Sequence, residues 1–159
     1  MARRCALGFG MKVVFFNRSK VDDCDDIGAV QLGSVIDVCA AADFVSLHCA
    51  ASPDTFEIMN AAAFDAMQSD AFVINTARGD VIDESSLIAA LNTGSIGGAG
   101  LDVFQGEPDI NPGLLAASNT VLLPHLGSAT LETRTAMGLK VVDNLCAFFA
   151  SQPLVDPVV

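Results

Sequence analysis

Three side chains suited to proton transfer or anion binding each follow a short apolar run in this 159-residue sequence. Arg78 follows FVINTA, Glu107 follows GLDVFQG and His125 follows VLLP. If each run forms a strand of a parallel sheet, each residue stands near a carboxyl end, where open α/β sheets bind ligands. A guanidinium, a carboxylate and an imidazole at that edge predict acid/base chemistry on a small anionic carbonyl compound.

Each of these residues also has a purely structural interpretation. His125 could cap its strand or the next helix, and Glu107 could be a solvated carboxylate in a Gly-Glu-Pro turn. Taken alone, both residues fit that interpretation better. Arg78 could form a surface salt bridge with Asp80 or Asp83, but an Arg-Gly step directly after a buried strand favours a ligand site.

Short β-like runs alternate with helical patterns along the chain, which is typical of βαβ units and a parallel sheet. The runs are almost continuously apolar, as expected for strands covered by helices on both faces. We therefore predict an α/β fold with a Rossmann-type doubly wound parallel sheet. The predicted strands are Lys12–Phe16, a short one at Ala29–Gln31, Phe44–Leu47, Phe72–Asn75, Gly98–Leu101 and Val121–Leu123.

Capping residues predict where the helices begin. Ser34, Asn60 and Asp83 each precede an apolar helical pattern, and a long final helix is expected from Thr130 to about Ala150. The segment 105–119 contains several glycines, prolines and asparagines and is predicted to be an irregular, functional loop.

Composition bounds the class of protein. Hydrophobic residues make up 52% and charged residues 17% of the chain, which indicates one globular domain rather than disorder. A net charge of −11 opposes nonspecific binding to nucleic acid or anionic lipid, so neither is expected as a partner. The five scattered cysteines predict free thiols in the cytoplasm and no metal site.

The glycine pattern does not supply a phosphate-binding turn. The cluster GSIGGAG at 94–100 precedes a strand and lacks the required third glycine, so it predicts a turn. Residues 1–8 read like the second half of a helix, with no strand or G-x-G-x-x-G turn before it.

Four motifs in order resemble the D-isomer-specific 2-hydroxyacid dehydrogenase family, and within it the glyoxylate/hydroxypyruvate reductases. They are ADFVSLH at 42–48, VINTARGD at 73–80, GLDVFQGEP at 100–108 and LPHLGSAT at 123–130. The following LETRTAMG at 131–138 is a weaker match to the glyoxylate reductase branch.

The resemblance implies roles for the three residues described first. His125 would be the acid/base that protonates the carbonyl oxygen of a 2-oxo acid. Glu107 would orient the imidazole and favour its protonated form. Arg78 would bind the substrate carboxylate through paired donors. The resemblance leaves glyoxylate and hydroxypyruvate unranked as substrates.

The resemblance also implies a nicotinamide cofactor at the same edge. Asp102 would accept a hydrogen bond from the nicotinamide carboxamide, although it could instead cap the following loop. Thr76 and His48 would line the crevice, with Ala77 and Gly127 as further cofactor residues, whereas His48 could equally be a half-buried residue at the end of its strand.

The sequence NRSK that follows the first predicted strand bears on the choice of cofactor. NAD-selective domains usually place an acidic residue there, but this chain offers Asn17, Arg18, Ser19 and Lys20, which could hold a 2′-phosphate. NADP is therefore preferred over NAD. Alternatively, the basic residues merely offset the acidic residues at 22, 23, 25 and 26.

By the same resemblance, residues 1–150 are a partial dinucleotide-binding domain and 151–159 a tail that returns to a substrate domain. That domain, the first strand and the glycine-rich turn are expected to be missing, which would make the chain a C-terminal fragment with little activity by itself. The resulting free strand edges predict a homodimer. A non-catalytic remnant and a cofactor-sensing corepressor remain alternatives.

Overall fold

The computed structural model describes residues 1–22 and 24–157, which divide into two compact units, Met1–Leu123 and Pro124–Val159. The first unit holds all the strands described below, and the second holds the long final helix. This division does not test the predicted functional boundary at residue 150, which stays a prediction. Asp23, part of the alternative interpretation of the NRSK loop, and the last two residues of the predicted tail lie outside the described residues.

All strand pairs in the first unit are parallel, which confirms the predicted α/β fold class. Two strands form one small sheet and four form another, in chain order. The strands are β1 Val14–Phe15, β2 Val30–Gln31, β3 Phe44–Leu47, β4 Phe72–Asn75, β5 Gly98–Leu101 and β6 Thr120–Leu122. Three predicted strands match to the residue, while β1 and β2 are shorter and β6 begins and ends one residue earlier than predicted.

The register of the larger sheet aligns its carboxyl ends. Leu47 pairs with Asn75, Asn75 with Leu101, and Leu101 with Leu122. The segments that follow β3, β4 and β5 therefore leave the sheet along one edge, as the sequence predicted.

Short polar side chains start the helices of the first unit. Ser34 accepts from the Asp37 amide, Asn60 from the Ala63 amide, and Asp83 from two amides of its first turn. These bonds satisfy amides that have no partner within a helix. The helices are α1 Val35–Ala41, α2 Ala61–Ala66, α3 Glu84–Thr93 and α4 Pro112–Ala116.

Helix α4 corrects the prediction that the segment 105–119 is irregular throughout. Asn111 accepts a hydrogen bond from the Gly113 amide, and Pro112 occupies the first turn. A proline at that position costs no hydrogen bond and has the required φ, so it starts a helix here. Short helical turns also form at Arg4–Gly8, Asp25–Ile27 and Gly79–Val81.

Only one face of β3 is covered, which corrects the expectation of burial on both faces. Val45 and Leu47 are buried in the core, whereas Phe44 and Ser46 are exposed. Phe44 stacks on Phe72 of β4, with ring centroids 5.6 Å apart. The alternation follows from the strand's period of two, which sends neighbouring side chains to opposite faces.

The second unit contains α5, Leu131–Phe149, capped by the Thr130 hydroxyl, which accepts from the Thr133 amide. An apolar stripe along this helix is exposed and consists of Met137, Val141, Leu145 and Phe148. Among the described residues, no helix is both long and apolar enough to cross a membrane.

Candidate functional site

The loop that carries Arg78 is organised by the last residue of β4. Asn75 is buried, and its side-chain oxygen accepts from the Ala77 amide at 3.0 Å while its Nδ2 donates to the Arg78 carbonyl at 2.8 Å. The carboxamide thus fixes the turn from both sides. Because a buried amide left without partners costs about 1–3 kcal/mol, the turn is strongly specified.

This turn presents Arg78 to solvent rather than to an acidic neighbour. Arg78 is exposed, and its guanidinium donates to the Ala77 carbonyl at 2.6 Å. The Asp83 carboxylate, one of the two proposed salt-bridge partners, instead accepts from the Ser85 and Ser86 amides and caps α3.

The loop after β5 is held by two carboxylates. The Phe104 amide donates to Glu107 Oε1 at 2.8 Å, and the Gln105 amide donates to Glu84 Oε1 at 2.7 Å. The Gln105 side chain donates in turn to the Ile82 carbonyl at 2.9 Å. Glu84 and Gln105 therefore tie the Glu107 loop to the segment that follows Arg78.

Gly79 brings these two loops into direct contact. A Cβ on Gly79 would overlap the carbonyl group of Phe104 and the amide nitrogen of Gln105. Only glycine permits this approach, since every other residue carries a Cβ. The predicted pair Arg78 and Glu107 is therefore carried by loops that pack against each other at one edge of the sheet.

Two predicted cofactor residues adjoin Arg78, and two more end the neighbouring strands. Thr76 is exposed and Ala77 half-buried directly after β4, while Asp102 is buried and its amide donates to the Asn75 carbonyl at 2.9 Å. His48 follows β3, is exposed and shares a hydrogen bond of 2.9 Å with the Ser46 hydroxyl. These four residues of the first unit lie at the carboxyl ends of β3, β4 and β5.

His125 and Gly127 belong to the second unit, and both are exposed. His125 has a φ of 55°, in the left-handed region that residues with a Cβ seldom adopt. Three residues outside the candidate site, Glu57, Asn119 and Ser151, share this conformation, so the φ of His125 does not by itself identify a functional residue. That His125 works together with Arg78 and Glu107 stays a prediction.

The NRSK loop after β1 is ordered by hydrogen bonds among its own residues and to β2. Asn17 Nδ2 donates to the carbonyl and the hydroxyl of Ser19, each at 3.0 Å. Gln31, the last residue of β2, donates to the Asn17 and Ser19 carbonyls at 3.0 and 2.9 Å. Sequence reasoning did not identify Gln31 or Asn75, although a polar residue that ends an apolar strand was the available signal.

The cations of this loop are exposed and paired with surface acids. Arg18 is 77% exposed and lies 3.0 Å from Asp54, and Lys20 is 84% exposed and lies 2.7 Å from Asp22. The pairing of Lys20 agrees with the alternative interpretation of a loop that offsets nearby acids. Exposed pairs of this kind contribute only about 0–1 kcal/mol, so both cations can still bind another anion.

These groups fit a dinucleotide. Two exposed cations and the Ser19 hydroxyl suit a phosphate on the adenosine ribose. A buried carboxylate residue, Asp102, stands at the edge where Arg78 and Glu107 are carried. Across the described chain there is no cluster of three or more His, Cys, Asp or Glu residues arranged for a metal ion.

Comparison with known proteins identifies the same family that the sequence motifs resemble. The model of the D-isomer specific 2-hydroxyacid dehydrogenase NAD-binding domain matches residues 1–127. The hydroxyphenylpyruvate reductase of Plectranthus scutellarioides is 40% identical over 97% of this chain and 48% of its own length. The 2-ketogluconate reductase of Gluconobacter oxydans is 42% identical over 95% of this chain and 48% of its own length.

A solved structure has the same fold. The NADPH-dependent glyoxylate/hydroxypyruvate reductase of Sinorhizobium meliloti, in complex with NADP and malonate, superimposes with a TM-score of 0.90 and 35% identity. The match covers 99% of this chain and 48% of that one. The chain thus spans about half the length of these relatives. With a match to the family's NAD-binding domain over most of its residues, the chain belongs to the D-isomer-specific 2-hydroxyacid dehydrogenase family.

Proposed function

We propose that this chain provides the cofactor domain and three catalytic residues of a reductase that converts a small 2-oxo acid to the D-2-hydroxy acid. The observation that carries the proposal is the packing of the Arg78 loop against the Glu107 loop at the carboxyl ends of adjacent parallel strands. Glyoxylate and hydroxypyruvate are the proposed substrates. The reductase names of the relatives support this substrate class.

Arg78 is proposed to hold the substrate carboxylate. Its guanidinium is exposed, while its backbone is fixed through Asn75. A planar fork of donors matches two carboxylate oxygens, so binding through it orients the neighbouring carbonyl group. Lysine offers only a point charge and should orient the substrate less well.

His125 and Glu107 are proposed to handle the proton. The imidazole gives its proton to the carbonyl oxygen as the carbonyl carbon is reduced, and the carboxylate stabilises the charged imidazole beforehand. Bound NADPH would supply the hydride to that carbon. Asp102, Thr76, Ala77, His48 and Gly127 are proposed to hold the nicotinamide end of the cofactor.

NADP is the proposed cofactor, with NAD as the second choice. Arg18, Lys20 and Ser19 after β1 offer positive charge and a hydroxyl where an acidic residue would favour NAD. The NADPH dependence of the Sinorhizobium meliloti relative supports this choice.

A direct test measures oxidation of NADPH by a full-length reductase that contains the chain, with glyoxylate, hydroxypyruvate and pyruvate, because the chain alone is expected to have little activity. We expect the first two to be reduced, and Arg78→Lys to lower kcat as well as raise KM, because lysine can hold the carboxylate but orients the carbonyl group less well. Reduction of none of the three by such a reductase, folded and able to bind NADPH, would contradict the proposal for this chain. The remnant and corepressor alternatives predict that result, but the named relatives, all reductases, do not favour them.

We also propose that copies of the chain associate. The apolar stripe of α5 is exposed, and the stacked pair Phe44 and Phe72 leaves apolar surface open on the larger sheet. Large exposed apolar patches mark interaction surfaces. Sedimentation should show a dimer, and a folded monomer at all concentrations would contradict this expectation.

A further inference from the structure

We propose that Gln31 is a positioning residue that makes the NRSK loop selective for a 2′-phosphate. This inference rests on the proposed use of NADP and adds to it a residue outside the loop itself. Gln31 does not contact the phosphate in this proposal. It acts by fixing the backbone from which Arg18 and Ser19 project.

Gln31 is placed for this role by strand pairing. It ends β2 and pairs with Phe15 at the end of β1, and the Leu32 amide donates to the Phe15 carbonyl at 2.8 Å. The NRSK loop begins two residues after Phe15. The side chain of Gln31 therefore starts directly beside the segment that it holds.

The carboxamide of Gln31 bonds to two carbonyl groups of the NRSK loop and to the amide of the residue that follows it. Nε2 donates to the Asn17 carbonyl at 3.0 Å and to the Ser19 carbonyl at 2.9 Å, and Oε1 accepts from the Val21 amide at 3.0 Å. Both N–H groups and the oxygen are therefore used. Glutamate would keep the bond from Val21 and lose both donations, and methionine would lose all three.

The two fixed carbonyls lie on either side of Arg18. Because Asn17 also donates to Ser19, the backbone of residues 17–19 is held from two directions. The Arg18 guanidinium and Ser19 hydroxyl therefore extend from a fixed base. A preordered base lowers the entropy lost when these groups bind a phosphate.

This arrangement predicts a selective effect. A 2′-phosphate would meet Arg18 and Ser19, whereas the rest of the adenosine does not need the ordered loop. If Gln31 only stabilised the fold, its loss would weaken the binding of nucleotides with and without a 2′-phosphate alike. The ratio of the two affinities therefore separates positioning from a general structural role.

The experiment titrates the 159-residue chain with 2′,5′-ADP and with 5′-AMP by calorimetry. We expect the wild-type chain to prefer 2′,5′-ADP, and Gln31→Met to lose about tenfold of that affinity while 5′-AMP binding changes less than twofold. Gln31→Glu is a second variant of nearly the same shape. Gln68→Met, an exposed glutamine after α2, is the matched control and should keep the wild-type ratio.

A double variant tests whether Gln31 acts through Arg18. In an Arg18→Ala chain, Gln31→Met should weaken 2′,5′-ADP binding much less than in the wild type, because interacting residues are not additive. An unchanged ratio in both Gln31 variants, a parallel loss of both nucleotides, or a full additional loss after Arg18→Ala would overturn the inference. If the wild-type chain shows no preference for 2′,5′-ADP, both this inference and the NADP proposal are overturned. The proposed reduction of 2-oxo acids does not depend on this result, because a separate assay measures it.

Discussion

Gly79 lies so close to the backbone of Phe104 that no side chain fits between them. The contact joins the turn after β4 to the turn after β5, and these turns carry Arg78 and Glu107. The absence of a Cβ at Gly79 therefore allows the two loops that carry these proposed catalytic side chains to pack against each other.

Gly79→Ala should separate these loops. The new methyl overlaps main-chain atoms, which cannot rotate away as a side chain can, so we expect destabilisation of about 1–3 kcal/mol or more. Urea unfolding measures this change. Gly138→Ala is the matched control: no atom lies near its added Cβ within α5, so it should be neutral or stabilise by about 0.5–1 kcal/mol. Equal effects of the two substitutions would contradict the importance of the contact.

Sequence reasoning located the elements better than the contacts between them. Phe44–Leu47 and Phe72–Asn75 were predicted to the residue because each is a short apolar run between polar or breaking residues. Helix α4 was missed because Pro112 and Gly113 were interpreted as breakers, although Asn-Pro is a good helix start.

The polar side chains that order the site illustrate what the sequence left open. Asn75 was predicted only as the end of a strand, and its bonds to Ala77 and Arg78 depend on a turn whose shape no local pattern specifies. Glu84 accepts from the Gln105 amide, a partner 21 residues away. The residue types were visible in the sequence, but their partners depend on the fold.

Asp54 should compete with a nucleotide phosphate for Arg18. The two side chains form an exposed ion pair at 3.0 Å, and such pairs are worth about 0–1 kcal/mol. Asp54→Asn releases the guanidinium, so binding of 2′,5′-ADP should strengthen up to about fivefold at low salt and less at high salt. Calorimetry at two salt concentrations measures this. Weaker binding in the variant would show that Asp54 instead orients Arg18 for the phosphate.

Asp83 should contribute to stability through its capping bonds and its charge. The Ser86 hydroxyl that donates to the carboxylate lowers its pKa below the ordinary 3.8, helped by the Ser86 and Ser85 amides. A lowered pKa stabilises the fold above pH 3.8, and this stabilisation is lost as the pH falls through the lowered value. Asp83→Ala should cost about 0.5–2 kcal/mol near neutral pH.

Asp83→Asn separates the cap from the charge. Asparagine also caps helices well, so this variant should keep most of the stability at neutral pH and lose less of it on acidification. Urea unfolding of the wild type and of Asp83→Asn between pH 6 and about 3 gives the dependence of the free energy of unfolding on pH for each chain. The same dependence in both chains would contradict the role of the charge.

Cys39 should make the fold sensitive to alkali. The side chain is fully buried beside Met59, and burial raises its pKa from 9.0 to about 11. The folded chain holds this proton more tightly, so the stabilisation is complete below pH 9 and is lost as the pH rises toward 11. Unfolding experiments should show a steeper loss of stability across this range in the wild type than in Cys39→Ala.

Thiol reagents should modify exposed Cys146 first, and rapid labelling of Cys39 in the folded chain would contradict its burial.

His125→Gln tests the proposed acid/base directly. Glutamine can still form a hydrogen bond with a carbonyl oxygen but cannot transfer a proton, so kcat should fall by about 10²- to 10⁴-fold. Binding of NADPH, measured by fluorescence, should change little because the proton is needed only in the chemical step. His48→Gln is the comparison variant: His48 is proposed to hold the nicotinamide end of the cofactor, so this substitution should weaken NADPH binding more than it lowers kcat. If both variants turn over at the wild-type rate, His125 has no part in proton transfer; if only His48→Gln loses kcat, the two histidines have been assigned the wrong way round.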